Sequence, residues 1–163
     1  MKQLNGGNMQ RRLKIYLENS LISMYFQDDA PYLRDLTRQF WKETLPHFEA
    51  YVSDIVLAEI RAIEDNNLRK GLERLIRKFE IIEITENVLE LSSIYLSYRR
   101  LPRGDALHLA AASTGRMESL VTWNLRHLYK RGTQEMIREV NTKLRLPVPS
   151  ILTPEDFFEE EEV

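Results

Sequence analysis

The stretch RGDALHLAAASTGRMESLVTWNLRHL, residues 103–128, decides how this chain of 163 residues is read. Ala106, Leu109 and Ala110 recur at helical spacing behind Asp105, Gly115 follows as a stop, and residues 119–122 turn to β character. The pattern is helix, turn, strand, turn. Asp105 falls in the first turn of the helix, Asn124 directly past the strand, and His127 one helical turn further on. Ligands of an open parallel sheet collect outside the carboxyl ends of its strands. Polar side chains just beyond a buried strand are therefore well placed for chemistry, and two so close together read as half of an active site.

Working outward, residues 13–17 (LKIYL), 50–53 (AYVS), 79–84 (FEIIEI) and 150–152 join 120–122 as strand candidates, the last of them an edge strand. Between them lie helical patterns. Residues 32–45 carry Leu33, Leu36, Phe40 and Trp41 on one side and end at Pro46. Residues 55–66 carry a stripe of Val56, Leu57, Ile60 and Ile63, with Asp54 as the cap. Residues 68–78, 85–98 and 133–144 complete the set. Strands separated by helices imply right-handed crossovers and a mainly parallel sheet of four or five strands with helices on both faces. On that reading Glu18 follows the first strand and Glu59 lies on the helix after the second. Asp105 opens the helix that leads to the fourth, Asn124 follows it, and all four meet at one edge of the sheet.

Composition narrows the chemistry. The length is that of one domain with its own core. No apolar run is long enough to span a bilayer and no signal segment is visible, so the expected home is the cytoplasm. Cysteine is absent, which excludes disulfides, thiolate zinc sites and thiol nucleophiles. Residues 1–12 are polar and contain Gly6-Gly7, reading as a disordered extension. The domain is expected over 13–157, with an acidic tail at 158–163. From Arg99 to Arg131 seven bases face two acids, an asymmetry that permits a phosphate-bearing partner.

Carboxylates gathered without cysteine suit hard cations such as Mg²⁺ or Mn²⁺. A cation so held activates water and neutralises a phosphate. The chain has no glycine-rich phosphate loop, HExxH motif or GxSxG elbow. His108, one turn after Asp105, reads as a hydrogen-bonded structural histidine. Arg103, Arg126 and Lys130 flank the same edge as candidate phosphate contacts. Of the aromatics Tyr25, Phe26, Tyr32, Phe40 and Trp41, part must be core, and any exposed surplus would form a partner or dimer surface.

Taken together, IYLENSLIS (15–23), SDIVLAEI (53–60), GDALHLAAA (104–112), LVTWNLRHL (120–128) and ILTPEDF (151–157) resemble, in order and spacing, the PIN-domain family. The closest branch is that of the VapC-type toxin ribonucleases. The resemblance implies a PIN-like three-layer α/β sandwich and a Mg²⁺ or Mn²⁺ site that hydrolyses RNA phosphodiesters. It also implies a small antitoxin partner and a homodimer, with no membrane association. Carried over by position, Glu18, Glu59 and Asp105 are metal ligands and, with Asn124, the catalytic set. Ser20 orders the first acid, and His127 supports the site or faces substrate; Arg103 and Arg126 join them as the basic side chains that flank the sheet edge. Glu18 stands where the family usually has Asp and Gly104 where a second Asp is frequent. An alternative reading is a degenerate PIN-like domain that binds RNA or a protein partner without cleavage.

Overall fold

The structure, a computed structural model, describes residues 11–158. The expected N-terminal extension and acidic tail therefore lie outside the described residues, save for Arg11, Arg12 and Phe158. Five short strands, Lys14–Leu17 (β1), Glu49–Ser53 (β2), Glu80–Ile82 (β3), Ser119–Val121 (β4) and Ser150–Leu152 (β5), form one sheet in the order β3-β2-β1-β4-β5. Every pairing is parallel, with Tyr16 opposite Tyr51 and Leu120, and Leu120 opposite Ile151. Ile15, Tyr16, Leu17, Leu120 and Val121 have no exposed surface, as expected of central parallel strands covered on both faces. The sandwich read from the sequence is the fold the chain has.

Seven helices connect the strands: Asn19–Met24 (α1), Pro31–Gln39 (α2), Asp54–Arg61 (α3), Asn66–Ile76 (α4), Glu86–Tyr98 (α5), Arg103–Thr114 (α6) and Arg131–Lys143 (α7). The chain runs β1, β2, β3 outward in one direction, then returns to β4 and β5 on the other side of β1. Right-handed crossovers then place α1 to α4 on one face and α5 to α7 on the other. Packing follows this division, α1 against α2 and α4, α3 against α4, and α5 against α6 and α7. α3 also meets α6, a contact from one group to the other.

Three local departures have clear causes. The helix expected over 32–45 stops at Gln39 and widens into a π-helical turn at Phe40–Thr44 before a short 3-10 segment at Leu45–His47. Pro46 removes an N–H and crowds the carbonyl four residues earlier, so the regular spiral cannot continue. The wider turn seats Phe40 in the core, 5.2 Å from the Phe157 ring. The helix expected over 55–66 ends at Arg61, because Asp65 caps a new one by accepting from Leu68 N–H. The cap of α3 is Ser53, which accepts from Ile55 N–H, while Asp54 accepts from Ile84 N–H and ties the helix to the end of β3.

At the end of α6 the left-handed residue is Arg116 (φ 59°), not Gly115. Met117 N–H bonds to Ala112 O and Arg116 N–H to Ser113 O in a Schellman pattern. Gly115 serves close packing instead. A Cβ there would lie 2.8 Å from Ile82 Cδ1. Among the early aromatics Phe40 is buried, Tyr25 packs edge-on against Phe26 and Trp41, and Tyr32 is the exposed one at 67%. No helix among the described residues is long and apolar enough to cross a membrane.

Candidate active site at the strand switch

The order of strands reverses between β1 and β4, the place where an open parallel sheet offers a crevice at the carboxyl ends of its strands. Glu18 is the residue after β1 and stands at the N-cap of α1 in extended backbone, its N–H bonded to Val121 O at 3.1 Å. It is 5% exposed. A carboxylate so enclosed requires hydrogen bonds, and Oε1 accepts two, from Ser20 Oγ and Thr122 Oγ1, both at 2.5 Å. The two hydroxyls are held in turn, Ser20 Oγ by Trp123 N–H at 3.0 Å and Thr122 Oγ1 by Asn124 N–H at 2.8 Å. The segment leaving β4 thus shapes the surroundings of the acid leaving β1.

Asp105 approaches from the first turn of α6. Burial raises its pKa above the ordinary carboxylate range and the Glu18 charge adds to the rise. The Asn124 amide and the imidazoles of His108 and His127 oppose it. Asn124 Nδ2 donates to Asp105 Oδ2 at 3.2 Å, and its Oδ1 accepts from His127 N–H at 2.9 Å. That backbone bond fixes which way the amide faces, so Asn124 offers the site a donor and keeps its oxygen for the loop.

Glu59 stands on the opposite wall. Its side chain is 39% exposed, and Oε1 meets His108 Nε2 at 3.2 Å. His108 is 1% exposed, and its Nδ1 lies 2.7 Å from Tyr16 OH, which lies 2.7 Å from Ser53 Oγ. Burial drives the Tyr16 phenol far above its usual range, the Ser53 hydroxyl lowers it, and the charges of Glu18 and Glu59 raise it further. Tyr16 therefore keeps its proton. Gly104 leaves the start of α6 open beside Glu59: a Cβ there would come to 3.9 Å from Oε2.

Glu18, Ser20, Asp105, Asn124 and His127 accordingly come together at the switch, and Glu59 stands on α3, where that helix meets α6. Among the described residues no three His, Asp or Glu side chains are close enough to hold one ion. The oxygen donors available in the crevice are the Glu18–Asp105 pair, a set that suits Mg²⁺ or Mn²⁺. Such ions take one or two carboxylates and complete their shell with water and phosphate oxygens. Arg103, Arg126 and Lys130 are exposed on the segments that carry Asp105 and Asn124, where they can meet a phosphate backbone. Sequence reasoning missed Thr122 and the line Ser53–Tyr16–His108. A hydroxyl directly after the fourth strand was a readable signal for Thr122. Nothing in the spacing of Ser53, Tyr16 and His108 marks them as one network.

Sheet order, crossovers and a polar crevice at the switch define a PIN-like α/β sandwich. Several solved structures share it, as a likeness of fold at low identity. VapBC from Salmonella typhimurium bound to DNA matches with a TM-score of 0.56 and 15% identity over 87% of this chain and 98% of that one. VapBC2 from Rickettsia felis, bound to a DNA fragment from its promoter, matches at 0.55 and 14% over 86% and 98%. A toxin–antitoxin complex from Klebsiella pneumoniae matches at 0.54 and 20% over 72% and 93%. No protein-family model matches the sequence, and no curated protein does.

Proposed function

We propose that this chain is a divalent-metal-dependent endoribonuclease and the toxin half of a toxin–antitoxin pair. The observation that carries the reading is the Glu18–Asp105 pair at the β1–β4 switch, two acids kept within electrostatic reach and only partly compensated by protein groups. A bound Mg²⁺ or Mn²⁺ would supply Lewis acidity and an activated water for attack at phosphorus. Glu18 and Asp105 hold the ion, and Glu59 faces the same crevice from the far wall. Ser20 and Thr122 fix the first carboxylate, and Asn124 fixes the second. Arg103 and Arg126 hold the RNA backbone, and His127 lies beside Asp105 at the substrate side. The likeness to solved toxin–antitoxin complexes supports a small antitoxin as partner, and a homodimer in the cytoplasm completes the proposal.

The test is Mn²⁺-dependent cleavage of a mixed RNA substrate, with Mn²⁺ binding followed by calorimetry. Cleavage that is lost in Asp105→Ala supports the reading. A second reading, a domain that binds RNA or a protein without cutting, is favoured by one observation: Glu18 is longer than the usual Asp and its Oε1 is already committed to two hydroxyls. Mn²⁺ binding without cleavage, or RNA binding without either, selects that second reading.

A further inference from the structure

We propose that His108, backed by Tyr16, is a positioning residue that holds the Glu59 carboxylate against the α6 wall of the crevice. The kinetic consequence rests on the nuclease reading above, whereas the hydrogen-bond direction does not.

An ionised Glu59 can only accept, so the proton between it and His108 sits on Nε2. In the neutral ring Nδ1 is then an acceptor, and it takes the Tyr16 hydroxyl proton at 2.7 Å. The Tyr16 oxygen accepts from Ser53 Oγ at 2.7 Å, and Ser53 Oγ accepts from Ile55 N–H at 3.2 Å. Each hydroxyl in this line donates once and accepts once, so one orientation satisfies every member. Ser53 and Tyr16 are fully enclosed and His108 nearly so. Glu59 is the one link that reaches solvent. Its Oε1 is set by His108, while its Oε2 faces the open start of α6 at Gly104, the neighbour of Asp105.

A second buried network in this chain shows what a merely structural arrangement looks like. Tyr95 OH donates to Asn141 Oδ1 at 2.6 Å and contacts Ser113 Oγ at 2.9 Å, while Asn141 Nδ2 donates to Ser113 Oγ and to Pro147 O. That network closes on itself and on a backbone carbonyl. The Tyr16 line opens instead onto a carboxylate in the crevice. It also lies where α3 meets α6, a contact between the two helical groups.

Two readouts test the proposal. The chain holds three histidines, so the ¹⁵N signals of the His108 ring are assignable by single substitutions. The expected spectrum shows the Nε2–H tautomer, an Nε2 proton resonance that moves in Glu59→Ala, and mixed tautomers in Tyr16→Phe. In the cleavage assay Tyr16→Phe lowers kcat roughly tenfold with KM unchanged, the lower end of what loss of an outer-shell partner costs. His108→Gln, which keeps an N–H donor, retains more activity than His108→Leu. Tyr95→Phe, which loses a buried hydroxyl with no route to the crevice, leaves kcat unchanged. Should His108→Leu fail to fold, Tyr16→Phe removes a single oxygen and keeps the test in force. An Nδ1–H tautomer, an Nε2 signal indifferent to Glu59→Ala, or equal kcat losses in Tyr16→Phe and Tyr95→Phe would overturn the proposal. A wild-type protein that cuts no RNA overturns the nuclease reading alone, and the ring spectrum then decides the role of His108.

Discussion

Glu18 and Asp105 lie close enough to feel each other's charge, yet the fold treats them in opposite ways. Glu18 is almost wholly enclosed and receives two hydroxyl donors on one oxygen. Asp105 is half-buried and receives one amide N–H, and its pKa is raised by burial and by Glu18. One acid is built into the sheet edge, and the other is left with charge that the protein does not fully satisfy. A cation placed between them would relieve that deficit, and the difference locates the deficit at Asp105.

The largest effect that can break this comparison is in cleavage. Asp105→Ala, or removal of metal with a chelator, lowers Mn²⁺-dependent cleavage by at least about 100-fold, the scale on which one group aimed at developing charge contributes. A full rate in Asp105→Ala would place the chemistry elsewhere.

Next comes stability on the Glu18 side. Thr122→Val keeps the shape and removes a donor from a buried charged acceptor, a loss of about 2 kcal/mol, or a Tm lower by about 4–8 °C for a domain of this size. Ser20→Ala has a similar effect. The two changes combine non-additively because both hydroxyls serve Oε1 and lie 3.2 Å apart. Glu18→Asp draws the carboxylate back by one methylene, and its melting temperature should match that double variant.

On the Asp105 side the sign reverses. With its folded pKa raised above the ordinary value of 3.8, folded Asp105 binds more protons than the unfolded chain between the two values. Stability therefore falls as pH rises through that window and stays lower above it. Asp105→Asn removes this cost, so its Tm exceeds that of the wild type at pH 7 and the gap closes below the ordinary carboxylate value. A thermal scan across pH checks it, and an unchanged or lower Tm at pH 7 would refute it.

The smallest effect belongs to the rim. Arg126→Ala weakens RNA binding nearly equally across sequences and reduces the salt slope by about 1, which a titration at several ionic strengths will show.

Much of this arrangement was legible in the sequence because it depends on period and order. The stretch Arg103 to Leu128 contains α6, β4 and the loop after it, and β5 falls at the expected 150–152. The convergence of Glu18, Asp105 and Asn124 follows from strand order alone. What could not be read depends on single interactions across the chain. Pro46 marked an end to the helix, but a π turn at Phe40–Thr44 answers to how Phe40 packs on Phe157. Asp54 reads as a cap by residue type, and the preceding serine takes the role because Asp54 is engaged by Ile84 N–H. The same limit explains Asn124. Its position was visible, but the direction of its amide is set by a backbone N–H three residues away.

The switch-point bonds have one more consequence, for the order in which the protein is made. Glu18 and Thr122 are separated by 104 positions, and β4, which pairs with β1, follows β2 and β3 in the chain. Such late, distant pairing is slow to form. A nascent chain that has not yet released the Thr122–Asn124 segment from the ribosome has only Ser20 to donate to Glu18 and no amide for Asp105. Until then the crevice lacks these partners, and a truncated product ending before β4 carries Glu18, Glu59 and Asp105 without them.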